Sequence, residues 1–523
     1  MKKLMRVIFS RYFISGALIF TELILLLYLV ISASNYSGYV YIVMIVLQYL
    51  LVLSLINREA NPEYKVSWLA VAIFIPLFGV LLYVMFYSRR ETKKDVCLMR
   101  SIHDKLEEMN VKNISPELSC SDSSFDSLKQ RSKHAAGIAN DLLSSDYLAE
   151  LYENTASEYF PLGEKMYERM LSDIASAERF IFLEYFIIKD GEMWNGIFEL
   201  LKKKASEGVE VRLIYDDIGC MKTLPSDFPK RRNEAGIACV RFAPVSPRVT
   251  VAHNNRDHRK ILVVDGTVAY TGGINISDEY INRKERFGHW KDGGVRVCGM
   301  AAVGFTKLFL SSWDLCTKKT SDYEKYISSS YERAKQTAGD SGFYIPFSSG
   351  PASFYPNPVG KNAILGIINT ACDYVYITTP YLIIDYDLTE ALCSAARRGV
   401  DVRIITPGKA DKKLVKIMTK SAYPHLMKSG VKIYEYLPGF IHEKLIVADD
   451  STALISTINL DYRSLVHHFE DALWIYGSKT VLDAKDSFVE TLSVSDERGD
   501  REAKLTFKEK IVRNVMRIFA PLL

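Results

Sequence analysis

The sequence predicts an α/β protein: two pseudo-symmetric α/β/α sandwich halves, each with a mixed sheet, behind N-terminal transmembrane helices. Three observations carry this expectation. Helix-then-strand segments in the middle of the chain recur later in it. A histidine–lysine–aspartate spacing occurs once in each copy, and the first ninety residues hold three long apolar runs.

Phe13–Ile31, Val40–Ile56 and Trp68–Phe86 contain 19, 17 and 19 residues, each near the length that crosses a bilayer. Glu22 interrupts the first run, at a cost unless it is paired or interfacial. Lys2, Lys3, Arg6 and Arg11 precede the runs, and Arg89, Arg90, Lys93 and Lys94 follow them. Both basic groups favour the cytoplasmic side, which three full spans cannot satisfy. The expectation for residues 1–90 is a membrane anchor with the second and third runs as spans. The protein is then multi-pass in a membrane, with its remainder facing the cytoplasm. Residues 91–145, with the serine-rich SCSDSSFDS, read as a polar connector, helical or loose.

The repeat follows. GEKMYERMLSDIASAERFIFLEYFI, from Gly163, parallels GKNAILGIINTACDYVYITTPYLI, from Gly360. Each reads as an amphipathic helix and a buried strand. LLKKKASEGVEVRLIYD and LCSAARRGVDVRIITP each give a helix closed by glycine, Gly208 or Gly399, and then a β-branched strand. The halves are expected at 146–340 and 341–500. Residues 501–523 alternate lysine and arginine with apolar positions, the pattern of a basic amphipathic helix on anionic lipid.

RDHRKILVVDG and FIHEKLIVADD close the two copies. His258, Lys260 and Asp265 stand at the offsets of His442, Lys444 and Asp449. Residues two apart on a strand share a face, so each histidine points with its lysine. The aspartates fall at or past the strand end and read as orienting or turn residues. Seventeen residues beyond each histidine stands an asparagine, Asn275 or Asn459, after the small pairs Gly272-Gly273 and Ser456-Thr457. Packing about a pseudo-twofold would bring the two sets into one pocket. Lysine and asparagine supply charge and hydrogen bonds to phosphate oxygens. One imidazole attacks phosphorus while the other protonates the leaving alkoxide. The lysines supply the positive charge, so neither metal nor other cofactor is expected.

Composition bounds the alternatives. Lys+Arg number 66 against 62 Asp+Glu, a net charge of +4, which disfavours a bulk nucleic-acid binder. Eight cysteines without a CxxC pair indicate reduced thiols rather than a disulfide frame or zinc site.

These residues resemble the phospholipase D superfamily, whose signature is HxKx4D followed by a small pair and asparagine. Within it the bacterial cardiolipin synthase family is most similar. NNRDHRKILVVDGTVAYTGGINISDEY and GFIHEKLIVADDSTALISTINLDYRSLVHHFE resemble its two catalytic blocks. The similarity runs from about residue 40 to the end. It implies exchange of a phosphatidyl group between two phosphatidylglycerols, giving cardiolipin and glycerol, with His258 assigned as nucleophile and His442 as acid/base. A phospholipase D-type hydrolase or a different acceptor alcohol stays open, as does a homo-oligomer. Ser456 stands where glycine is usual and Cys220 where serine is more common; the first apolar run is also outside the pattern.

Some residues carry secondary expectations. Arg463 and Glu470 are expected to form a pair that orients a catalytic group, and both are grouped with the substrate-binding residues. Glu184 and Pro380 are read as equivalent strand-end residues. Trp290 and Asp292 are read as packing, and His467 and His468 as helix or loop histidines.

Overall fold

The strands are built from β-branched and aromatic runs that are apolar on both faces, which only a sheet covered on both sides can bury. A computed structural model of the protein describes residues 28, 37–57, 62–74, 83, 93–113, 120–146, 148–244, 255–337, 339–499 and 505–519. Its first sheet contains β1 (Thr155–Phe160), β2 (Phe180–Tyr185), β3 (Glu210–Asp216), β4 (Ile237–Phe242), β5 (Lys260–Val264), β6 (Val268–Gly272) and β8 (Gly294–Gly299). The second contains β9 (Phe343–Ser349), β10 (Tyr374–Thr378), β11 (Asp401–Pro407), β12 (Lys432–Tyr436), β14 (Leu445–Ala448), β15 (Thr452–Ser456), β16 (Glu470–Tyr476) and the edge strand β17 (Ser495–Glu497). β7 (His289–Lys291) and β13 (Gly439–Ile441) pair with each other, parallel, as a separate ribbon.

The strand order is β1-β8-β6-β5-β2-β3-β4 in the first sheet and β17-β12-β11-β10-β14-β15-β16-β9 in the second. Read from β4 and from β12 the two are the same. β2 to β4 and β10 to β12 run parallel, and the motif strands β5 and β14 join them antiparallel, so both sheets are mixed as expected. Register also corrects one pairing of residues. Glu184 lies opposite Ile261, and Thr378 opposite Leu445. Thr378, not Pro380, is therefore the counterpart of Glu184.

Strand β2 shows how the layers form. Phe180 and Phe182 face one core and Ile181, Leu183 and Tyr185 the other, an alternation of period two. Helix Ala301–Thr317 is buried along most of its length and packs on β2, β5, β6, β8 and β9. The first core is thus continuous with the second half. Residues 91–145 differ from the expected connector. Helices Lys93–Asn113, Cys120–Arg131 and Lys133–Ser145 place Met99, Ile102, Leu106, Leu128, Ile138 and Leu142 in that core. Most of their described polar residues lie on the outer faces, with His103 and Ser124 among the buried exceptions.

In the N-terminal region, helices Ser37–Ile56 and Pro62–Phe74 pack through Leu51, Leu55, Trp68, Val71 and Ala72. The first expected run lies outside the described residues apart from Tyr28, and the third is described only to Phe74 and at Tyr83. Among the described residues, no helix is long and apolar enough to cross a membrane. Pro62–Phe74, at 13 residues, measures roughly 20 Å against a hydrocarbon core of about 30 Å. Near the other end, helix Phe507–Phe519 exposes Phe507, Ile511 and Val515 on one stripe.

Candidate active site

Each motif histidine stands just before its strand and is held by backbone from the other half. His258 N donates to Phe469 O at 2.8 Å, and His442 N donates to Lys291 O at 2.8 Å. The same exchange fixes the rings. His258 Nδ1 lies 2.8 and 3.0 Å from the two carboxylate oxygens of Glu470, at the head of β16. His442 Nδ1 lies 2.7 Å from Asp292 Oδ2, just before β8. An ionised carboxylate only accepts, so His258 Nδ1, which meets only Glu470, carries the proton and its Nε2 keeps the lone pair.

The two carboxylates are equivalent by register. Gly272 pairs with Gly294 and Ser456 with Ala472, which aligns Asp292 with Glu470. Sequence reading took Asp292 for packing because its signal is weak. It stands 34 residues after its half's histidine, whereas Glu470 stands 28 after His442, and each serves the histidine of the opposite half. Glu470 does orient a catalytic group, as expected, but without Arg463: its oxygens are taken by His258 and by the Thr457 hydroxyl, and Arg463 lies exposed on the π-helical turn Arg463–His467.

The lysines and asparagines differ between halves. Lys260 Nζ donates to His258 O at 2.6 Å, and Lys444 Nζ donates to His442 O while standing 2.9 Å from His442 Nδ1. Asn275 is not open as expected: Oδ1 accepts from Ile187 N at 3.1 Å and Nδ2 donates to Tyr280 OH at 2.8 Å. Asn459 is buried with Oδ1 unpartnered. Asp265 and Asp449, which close the two motifs, stand a strand's length away from the histidines. Asp265 accepts from the amides of Glu178, Arg179 and Phe180 at 2.7–2.9 Å. Asp449 accepts from Cys372, Asp373 and Tyr374 at 2.7–2.9 Å. Both have positive φ, 54° and 52°, in the turn after the strand. Each anchors the start of the neighbouring strand, as the turn reading implies, and neither reaches the histidines.

The residue between histidine and lysine points to the opposite face. Arg259 pairs there with Glu184 at 3.0 Å and Asp257 at 2.9 Å. Glu443 pairs with Lys291 at 3.1 Å and accepts from Tyr159 OH. Glu184 therefore compensates a buried guanidinium behind the site.

Burial dominates the electrostatics. It pulls His258 down to about 3, with Lys260 adding to the fall and Glu470 opposing it. His442 falls well below its ordinary value through burial, then Lys444 and Lys260. Burial lowers Lys444 to about 7, against the pull of Asp292. It raises Asp292 to about 6, against Lys444 and Lys260. Burial also disfavours an ionised Glu470, but His258 beside it outweighs that and holds the carboxyl low. Lys260 acts on His442, Lys444 and Asp292 as well as on His258, so the two imidazoles, two lysines and two carboxylates share one electrostatic neighbourhood.

The surroundings are unequal. Tyr280, Trp290 and Phe440 crowd His442, with ring centroids 5.5, 5.7 and 6.0 Å away. Phe186 and His468 flank His258 at 5.0 and 5.5 Å. His468, expected as a helix or loop residue, is therefore at the site, on the extended residue that follows the π-helical turn.

Known proteins are similar to this chain in sequence and in fold. A family model described as cardiolipin synthase, PLD-like domain, matches residues 170–286 and 364–492, and a phospholipase D-nuclease N-terminal model matches 46–86. An uncharacterised protein of Streptococcus mutans is 40% identical over 90% of this chain and 99% of its own. Cardiolipin synthases of Halalkalibacterium halodurans and Staphylococcus aureus are each 31% identical, over 90% and 89% of this chain and 91% and 92% of theirs. The phosphatidylserine synthase structure from Haemophilus influenzae shares the fold, with TM-score 0.54 at 14% identity over 70% of this chain and 93% of its own.

Proposed function

The chain belongs to the cardiolipin synthase family of phospholipase D-like phosphatidyltransferases, and on that premise we propose that it joins two phosphatidylglycerols into cardiolipin and glycerol. The observation that carries the reading is the reciprocal anchoring: each motif histidine is oriented by a carboxylate of the other half, which yields two aimed Nε2 atoms.

His258 Nε2 attacks the phosphorus of the first phosphatidylglycerol, and the P–O bond to its glycerol headgroup breaks. The leaving oxygen takes a proton from His442. His442 is neutral in the empty site, but an incoming phosphodiester anion raises the proton affinity of every group beside it. Glu470 stabilises the positive charge that forms on His258, as Asp292 does for His442. Lys260 and Lys444 offset the charge on the non-bridging oxygens, and Asn459 is the asparagine with a carbonyl free to meet the headgroup. Neutral His442 then accepts the proton of a hydroxyl on the second phosphatidylglycerol. That oxygen attacks phosphorus, the P–N bond breaks, and cardiolipin leaves.

The chain is placed at a bacterial cell membrane through the second and third apolar runs, with the paired halves in the cytoplasm. The apolar stripe of Phe507–Phe519 and its lysines and arginines would rest on anionic lipid. Detergent-purified protein given phosphatidylglycerol as sole lipid tests the reading. Mass spectrometry should find cardiolipin and glycerol together, both lost in His258→Ala and His442→Ala. Phosphatidic acid with glycerol would make water the acceptor instead.

A further inference from the structure

The two sides of the site differ at one register position. Two residues before each anchoring carboxylate stands Trp290 in the first half and His468 in the second. The indole covers His442 with apolar surface, whereas His468 brings a third imidazole to the His258 side. His468 is only 8% exposed, yet neither ring nitrogen has a hydrogen-bond partner. Its Nδ1 lies 3.5 Å from Glu470 Oε1. A buried imidazole whose Nε2 has no partner and whose Nδ1 has only this long contact is costly as mere filling.

One ligand atom from each of His258, His468 and Glu470 lies within 4.8 Å of the others. Tetrahedral zinc, with bonds of about 2.0–2.1 Å, spaces its ligand atoms roughly 3.3 Å apart. Glu470 oxygens stand 2.8 and 3.0 Å from His258 Nδ1 and 3.5 Å from His468 Nδ1. Small rotations of the side chains close that cage. Two imidazoles and one carboxylate form a donor set suited to zinc and leave a fourth position for water.

We propose that His258, His468 and Glu470 form a binding site for a zinc-class divalent ion, and that filling it switches phosphatidyl transfer off. The inference rests on the reading of His258 as nucleophile. In the empty site Nδ1–H donates to Glu470 and the Nε2 lone pair faces phosphorus. A metal bonded to Nδ1 takes the place of that proton, which moves to Nε2, and Glu470 exchanges its hydrogen bond for a metal bond. No electron is transferred. The lone pair that would attack phosphorus is lost, so the nucleophile is silenced without covering the pocket. Trp290 offers no ligand atom, so the His442 side has no matching device.

The test uses the full chain in detergent, stripped with a chelator. Zn2+ is titrated against a chromophoric competitor, Co2+ is followed by its visible absorption, and transfer is assayed with and without Zn2+. Expected are one zinc per chain, a four-coordinate cobalt spectrum, and a fall in transfer of at least tenfold that EDTA reverses. His468→Gln should weaken zinc binding at least tenfold and bring its rate ratio with and without Zn2+ near one. Equal binding and inhibition in wild type and His468→Gln would overturn the site. Stimulation by zinc would overturn the switch. The binding titration needs no lipid, so its failure strikes the metal site alone. Tight binding without loss of transfer would likewise overturn the switch.

Discussion

The two halves have one strand order and one motif, yet their reacting ends are not alike. On the His258 side the anchor is Glu470, supported by the Thr457 hydroxyl and neighboured by His468. On the His442 side the anchor is the shorter Asp292, seated against Gly273 and ringed by Tyr280, Trp290 and Phe440. Duplication supplied the frame, and divergence at a few register positions made the two imidazoles chemically distinct. A symmetric frame permits different roles because each role depends on what surrounds an Nδ1, not on the strand beneath it.

The largest expected effect removes the imidazoles. His258→Ala and His442→Ala should each lower transfer by about 10^4-fold or more, since the two act as one unit. Joining both changes should cost little beyond either alone, measured as cardiolipin formed per unit time. A double variant far slower than either single one would mean that the halves work independently.

Next come the anchors. Glu470→Gln and Asp292→Asn should lower kcat by roughly 10^2 to 10^4 with smaller changes in KM, as the imidazole loses its tautomer and orientation. Gly273→Ala sharpens the contrast, because a Cβ there would collide with the Asp292 carboxylate. It should reduce turnover by about 10- to 100-fold. Thr457→Ala, which removes one hydroxyl from Glu470, should cost roughly tenfold or less. The reverse ranking would break the comparison.

The pH profile is a third probe. Lys444 sits near 7 in the empty site, so raising pH through that value removes its charge. kcat/KM, which reports the free enzyme, should fall as pH rises above about 7. Lys444→Arg should carry that limb out of range, and a limb that stays would exclude Lys444 as its source.

The smallest catalytic effect belongs to the turn aspartates. Asp265 is buried and Asp449 partly exposed. Asp265→Ala should cost roughly 2–4 kcal/mol of stability by orphaning three amides, and Asp449→Ala less, since water reaches its site. Both should leave kcat of the folded fraction within about threefold, read by denaturation beside activity.

Much of the frame was legible because continuous apolar, β-branched strands and glycine-closed helices repeat at readable intervals. The HxK pairs were legible for the same reason, as strand spacing puts both side chains on one face. What the chain did not disclose was reciprocity. Asp292 and Glu470 act on the opposite half, at unequal separations and with different side chains, so no local pattern links them to His442 and His258. The Glu184–Pro380 pairing misled because EY and PY look alike while the hydrogen-bond register runs two residues out of step. Residues 91–145 looked like a connector because their polar outer faces hide one buried stripe on each helix.

The measurement that bears most directly on the unequal halves is a rapid-quench trap of the covalent intermediate. Protein mixed with phosphatidylglycerol would be quenched in base, digested and mapped by tandem mass spectrometry. The predicted result is a phosphatidyl adduct on the His258 peptide, diminished in Glu470→Gln and absent from the His442 peptide. An adduct on His442, or equal labelling of both histidines, would contradict it.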